Sequence, residues 1–239
     1  MSEATLTFAE EILLVSLDDE TGKFFPTGPQ GRRYQLAGAV LMDLALRGRI
    51  DNDLERLIVV DSKPTGEQIL DGPLAEIVAE HEPHDATFWI ERLAGRSDEI
   101  EDLGLRRLTE RGIVRCQEKR ILWMFETRRY PLIDDREEKE VKRRLLDILL
   151  SDELPSPRDV VLICLVDACD LLPRILSMRE VEHVAPRVAQ LRKLDLLGQA
   201  MTQAIQRLQV AIAEAAASPG RSSKRSERTA VSRPELLLP

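Results

Sequence analysis

The stretch from Arg158 to Leu172 limits the fold more than any other. At helical spacing Val160, Val161, Leu162, Ile163, Leu165 and Val166 leave almost no polar face, and a helix that is apolar all round belongs in the middle of a bundle. Pro157 suits its first turn, where a missing N–H costs nothing. Such a helix needs amphipathic partners, and 239 residues are enough for one large domain or two small ones with a proper core.

Partners are present on both sides. Thr7-Phe8-Ala9-Glu10 reads as a capping box, followed by a helix through Ile12, Leu13 and Leu17. Asp18 to Gly31 is a loop rich in acids, Gly and Pro, and a second helix runs from about Arg33 to Arg47, stopped by Gly48. Ile50 to Asp61 is β-branched around Asn52-Asp53, as in a small hairpin or an extended segment. Pro64-Thr65-Gly66 opens a third helix that Pro83 closes, Asp85 caps a short fourth one, and Glu99 to Arg111 forms a fifth that Gly112 ends. Between Ile113 and Tyr130 the residues favour strands, with Gln117 to Lys119 as the expected polar turn. Helices resume at Arg136 to Leu150, then Arg158 to Leu172, Pro173 to about Val184, and about Pro186 to Ala217. The expected fold is mainly α: a helical bundle core, surrounding amphipathic helices and one projecting β-hairpin. Residues 1–217 form the domain, and residues 218–239, rich in Ser, Arg and Pro, form a disordered basic tail.

Chemistry-bearing constellations are missing. The sequence has no Gly-x-x-x-x-Gly-Lys, Gly-x-Ser-x-Gly or Gly-x-Gly-x-x-Gly. His81 and His84 are too poorly aligned across Pro83 to hold a metal, and His183 is isolated. No catalytic residue, metal or cofactor is expected. Asp167 and Asp170 in the apolar helix need a partner, for which Arg174 is a candidate. Cys116, Cys164 and Cys169 are an odd number in mostly apolar or helical settings, which points to a reducing compartment. No apolar run approaches the ~20 residues of a bilayer span, so a cytoplasmic protein is expected.

Charge is unevenly placed. The chain carries 34 Lys and Arg against 42 Asp and Glu, a net −8. Yet between Arg106 and Arg129 basic residues outnumber acids (Glu110, Glu118 and Glu126), making a local anion-attracting patch on a helix and hairpin. Within it Leu122, Trp123, Met124 and Phe125 are bulky and apolar; in a strand they divide between two faces, leaving one pair for a membrane or a second copy. A homo-oligomer is therefore expected.

Several segments resemble the Golgi phosphoprotein 3 family: Leu6 to Leu14, Asp18 to Lys23, Leu36 to Leu41, Leu44-Ala45-Leu46-Arg47-Gly48-Arg49-Ile50, Pro64-Thr65-Gly66, Leu108 to Val114, and Asp167 to Pro173. The resemblance covers about Leu6 to Ala217. It implies a non-enzymatic helical domain with a projecting hairpin that binds phosphatidylinositol 4-phosphate peripherally on membranes and holds the cytoplasmic tails of glycosyltransferases. The hairpin would serve self-association and membrane contact. Residue by residue, the family's lipid pocket is replaced: Ala37 stands where an arginine precedes the helix glycine, Gly28 where a loop tryptophan stands with Phe24, Phe25 and Pro26 nearby, and Asp98 and Glu101 where two arginines stand. Carboxylates in place of guanidinium groups reverse the electrostatics of a phosphate site. The departures point to a divergent, prokaryotic member. Arg32, Arg33, Arg106 and Arg107, about a turn from the replaced positions, are the candidate substitute site for anionic phospholipid, helped by the basic tail. The competing reading is a winged-helix-like DNA-binding regulator, whose wing would be the basic hairpin. The net charge and the acids Asp98, Glu99, Glu101 and Asp102 disfavour nucleic acid.

Overall fold

The first helix, α1 (Phe8–Val15), is buried along its whole length in the computed structural model, which describes residues 5–18, 21–25, 31–52, 56–121, 125–151, 155–168, 171–191 and 210. Its capping box is complete: Thr7 Oγ1 accepts from the Glu10 amide at 3.3 Å, and the Glu10 carboxylate takes the Thr7 amide and hydroxyl at 2.7 and 2.8 Å. Beside it runs α2 (Gly31–Leu46), whose Leu36, Val40, Leu41 and Leu44 are fully buried. Asp43 of α2 accepts the Phe8 amide at 2.8 Å and the Arg47 Nε at 2.7 Å, fixing the start of one helix on the flank of the other.

Short strands β1 (Ile50–Asn52) and β2 (Leu57–Val59) pair antiparallel, Ile50 opposite Val59. Helices α3 (Gln68–Ala79), α4 (Ala86–Ala94) and α5 (Ser97–Glu110) then pack against α2. Where α5 meets α1, a Cβ at Gly104 would come within 2.6 Å of Leu13 Cδ1, so the small residue sets how closely these helices approach. The ribbon follows, with β3 (Gln117–Ile121) antiparallel to β4 (Phe125–Arg129). Completing the bundle are α6 (Arg136–Leu150), the apolar α7 (Pro157–Ala168), the single turn α8 (Leu172–Ile175) and α9 (Met178–Leu191). Helix α7 packs against α1, α2, α6 and α9, as an all-apolar helix must. The fold is mainly α.

Two expectations need correction. Gln117 to Lys119 lie in β3 and not in a turn; Ile113 and Val114 instead pack in the core, Val114 bridging to Leu132. The register sets Glu118 opposite Arg128 and Arg120 opposite Glu126, so opposite charges across the ribbon favour strand where the residues alone read as a turn. Pro186 lies inside α9 and does not begin a helix. The carbonyl four residues earlier, that of Glu182, lies on an exposed residue where water can replace the lost bond. The expected boundary at residue 217, the tail after it and Cys169 fall outside the described residues; Cys116 and Cys164 are free thiols.

Asp43→Ala should orphan the buried Phe8 amide and cost about 1–3 kcal/mol, with little added by Arg47, which can turn to solvent. Urea denaturation checks this, and a loss below a few tenths of that range would show that the contact between α1 and α2 does not depend on Asp43.

Candidate anion-binding face at the ribbon base

Four backbone hydrogen bonds shape the loop after α1. The Gly22 amide donates to Asp18 O at 2.8 Å, Asp18 N to Lys23 O at 2.8 Å, Phe25 N to Ser16 O at 2.9 Å, and Tyr130 N to Gly22 O at 2.6 Å. Gly22 has φ +62°, and a Cβ there would lie 2.4 Å from Pro131 N, so both its conformation and the approach of the ribbon exclude a side chain. This turn sets Phe24 6.3 Å from the Tyr130 ring.

Two cations cover these phenylalanines. The Arg32 guanidinium stands 4.1 Å over the Phe24 ring, and that of Arg174, in α8, stands 5.6 Å over Phe25. Each is a cation–π arrangement. Arg33 is exposed and donates its Nε to Ala94 O at 3.0 Å. The ribbon base, the loop, the start of α2 and α8 thus share one face. Arg174 carries no local sequence signal for this face, because only the tertiary fold brings α8 to Phe25. Phe24 and Phe25 had been legible as the aromatic neighbourhood of the replaced tryptophan.

Acids from α5 border this face. Arg32 Nε lies 3.3 Å from Glu101 Oε2, and the exposed Arg128 and Asp102 face each other at 3.4 Å. Burial pushes the Glu101 carboxyl above its ordinary value of 4.5; Arg32 opposes the shift, while Asp98 and Asp102 add to it. Ala37 is fully buried. Glu101 thus engages Arg32 at the edge of this face.

Arg106 and Arg107 lie farther along α5. Arg107 makes a bidentate pair with Glu67, its Nη2 at 3.0 Å from Oε1 and its Nη1 on Oε2, and places Nε 3.3 Å from Glu10 Oε1. Arg106 is exposed. Arg107 is six residues beyond Glu101, a rise of about 9 Å along the helix, and turns toward α1 and α3. The structure thus places Arg32 on the ribbon-base face, turns Arg33 toward the end of α4, and sets Arg106 and Arg107 beside the start of α3. Leu122, Trp123 and Met124 lie outside the described residues, and Phe125 begins β4. His84 stacks on Phe88, ring centroids 3.6 Å apart.

The raised Glu101 predicts a pH signature. The folded state holds this proton more tightly than the unfolded chain, so the stability it contributes is complete below about pH 4.5 and is lost as pH rises through the folded value. The stability of Glu101→Gln relative to the parent should therefore increase with pH across that window in urea titrations. A difference independent of pH would refute the burial of this carboxyl.

Vacuolar protein sorting-associated protein 74 of Eremothecium gossypii is 28% identical over 215 residues, covering 75% of this chain and 64% of that protein. The protein of the same name from Schizosaccharomyces pombe is 29% identical over 201 residues, covering 75% of this chain and 56% of its own length. The chain thus spans less than two thirds of either relative. Among the described residues no helix is long and apolar enough to cross a membrane. A model of the Golgi phosphoprotein 3 (GPP34) family matches residues 8–208, and the chain belongs to that family.

Proposed function

We propose that this protein is a non-enzymatic interaction module of the cytoplasm that docks peripherally on anionic membranes through the face at the base of its ribbon. The observation that carries the reading is the pair of arginines laid over adjacent phenylalanines, Arg32 on Phe24 and Arg174 on Phe25, beside Tyr130 at the end of the ribbon. Aromatic rings with guanidinium groups laid over them suit the boundary between headgroups and acyl chains. Arg33 extends the basic edge, and Arg106 adds an exposed cation elsewhere on the chain. Membership in the family supports lipid binding. A headgroup preference for phosphatidylinositol 4-phosphate is the family expectation, and Ala37, Asp98 and Glu101 argue against a strict one. The ribbon residues Leu122, Trp123, Met124 and Phe125 are proposed to serve membrane contact and self-association. The DNA-binding reading has no comparable support: Arg128 of the ribbon already faces Asp102, and α5 also carries Asp98, Glu99 and Glu101.

Vesicle flotation tests this. The protein should float with phosphatidylserine vesicles at low salt and be released near 1 M salt, where the screening length falls to about 3 Å. Reversing charge at both Arg33 and Arg174 should weaken flotation at least tenfold, at roughly 1 kcal/mol per basic residue removed, whereas Glu101→Gln, which frees Arg32, should strengthen it. Phosphatidylinositol 4-phosphate matched in charge should give no large advantage. Protein that stays at the bottom with every acidic lipid would end the membrane reading.

Self-association is checked by light scattering on Trp123→Asp. The parent should be a dimer or larger and the variant smaller; a monomeric parent or an unchanged mass would remove the ribbon from that role.

A further inference from the structure

Arg32 stands where two demands meet. Its guanidinium lies 4.1 Å over the Phe24 ring, and its Nε reaches Glu101 Oε2 at 3.3 Å. Its Nη1 is shielded from solvent, and among the described residues no acceptor meets it. A guanidinium carries five donors in a fixed fork and pairs best when a planar anion or a phosphate takes two of them. The approach through Nε leaves that capacity unused, at the edge of the face that carries the membrane reading.

Glu101 is held no better. It is half-buried, which disfavours its charge, and Asp98 and Asp102 of the same helix repel it. Arg32 is the cation that α2 brings to it. From the ribbon, Arg128 goes to Asp102. Helices α1 and α3, which also pack on α5, send Glu10 and Glu67 to Arg107, about 9 Å farther along. The Glu101 carboxylate therefore leans on Arg32. Burial holds its carboxyl above the ordinary 4.5, so a proton is taken up closer to neutral pH.

Protonation resolves both demands. A neutral carboxyl tolerates burial, no longer repels Asp98 and Asp102, and no longer holds Arg32 as an ion. The freed guanidinium can then take two oxygens of a lipid phosphate. An acidic membrane favours this state twice: it supplies the phosphates, and a surface potential of about −30 mV makes the surface about half a pH unit more acid than the bulk.

We propose that docking on acidic membranes is coupled to the uptake of a proton by Glu101, which releases Arg32 from its ion pair to bind lipid phosphate. This coupling rests on the membrane reading of the ribbon-base face and adds a switch to it, because an internal carboxylate competes with the lipid for the same arginine.

Flotation of the full chain with vesicles of phosphatidylserine in phosphatidylcholine tests it, at low salt and from about pH 7.5 down to about pH 5, just above the ordinary carboxylate range. The parent's affinity should rise about fivefold as pH falls, the effect of roughly one basic residue gained at the surface. Glu101→Gln should bind at the tighter level throughout, and Arg32→Gln at the weaker level throughout. The histidines are common to all three proteins, so any protons they take up cancel in the comparison. Calorimetry in buffers of different ionisation enthalpy gives a second readout: docking should take up protons in the parent and fewer in Glu101→Gln. A pH response that survives in Glu101→Gln or in Arg32→Gln, or equal proton uptake by parent and Glu101→Gln, would overturn the coupling and leave the membrane reading intact. Absence of docking at every pH would end both.

Discussion

Two successive glutamates in a wholly buried helix dictate how the bundle closes. Glu10 and Glu11 sit in α1 with essentially no exposure, and each meets guanidinium groups from elsewhere: Arg107 of α5 for Glu10, Arg144 of α6 and Arg158 of α7 for Glu11, the last two both at 3.1 Å. Burial raises both carboxyls above their ordinary value, and the arginines work against that rise. Removing one member of such a pair strands the other charge at a cost of about 3–5 kcal/mol. Three helices distant in sequence are thereby held to one short segment, and three of the chain's arginines are committed to the interior.

That commitment divides the basic residues into two populations. Arg107, Arg144 and Arg158 close the core, while Arg33, Arg106 and Arg174 keep exposed positions. Net charge conceals the division, because an acidic total of −8 coexists with a basic edge where the ribbon joins the bundle. The exchange at Glu101 fits the same logic. A carboxylate half buried beside Asp98 and Asp102 needs a counter-charge, and Arg32 both supplies it and lies over Phe24.

Much of the fold could be read from the residues. The capping box at Thr7, the Asp85 cap, whose carboxylate takes the Phe88 amide at 2.8 Å, and the all-apolar α7 were legible because each is a local pattern with one physical meaning. The ribbon was legible as a ribbon but not in register, since Gln117 to Lys119 look like a turn until the opposite charges of the partner strand are considered. Pro186 misled because proline in a helix is tolerated wherever the orphaned carbonyl reaches water. The site was less legible. Nothing in the local sequence distinguishes Arg107, tied to Glu67 and Glu10, from its exposed neighbour Arg106, and nothing near Arg174 announces Phe25. These are contacts across long stretches of chain, invisible to periodicity.

The contact between Gly22 and Tyr130 has a mechanical side. Because the loop grips the ribbon through the Tyr130 amide on the Gly22 carbonyl, and grips α1 through the Phe25 amide on the Ser16 carbonyl, a force on the ribbon travels into the core along peptide groups. Such a load path is indifferent to most side-chain replacements. The orientation of the ribbon's base is therefore set by main-chain bonds and not by the side chains the ribbon carries.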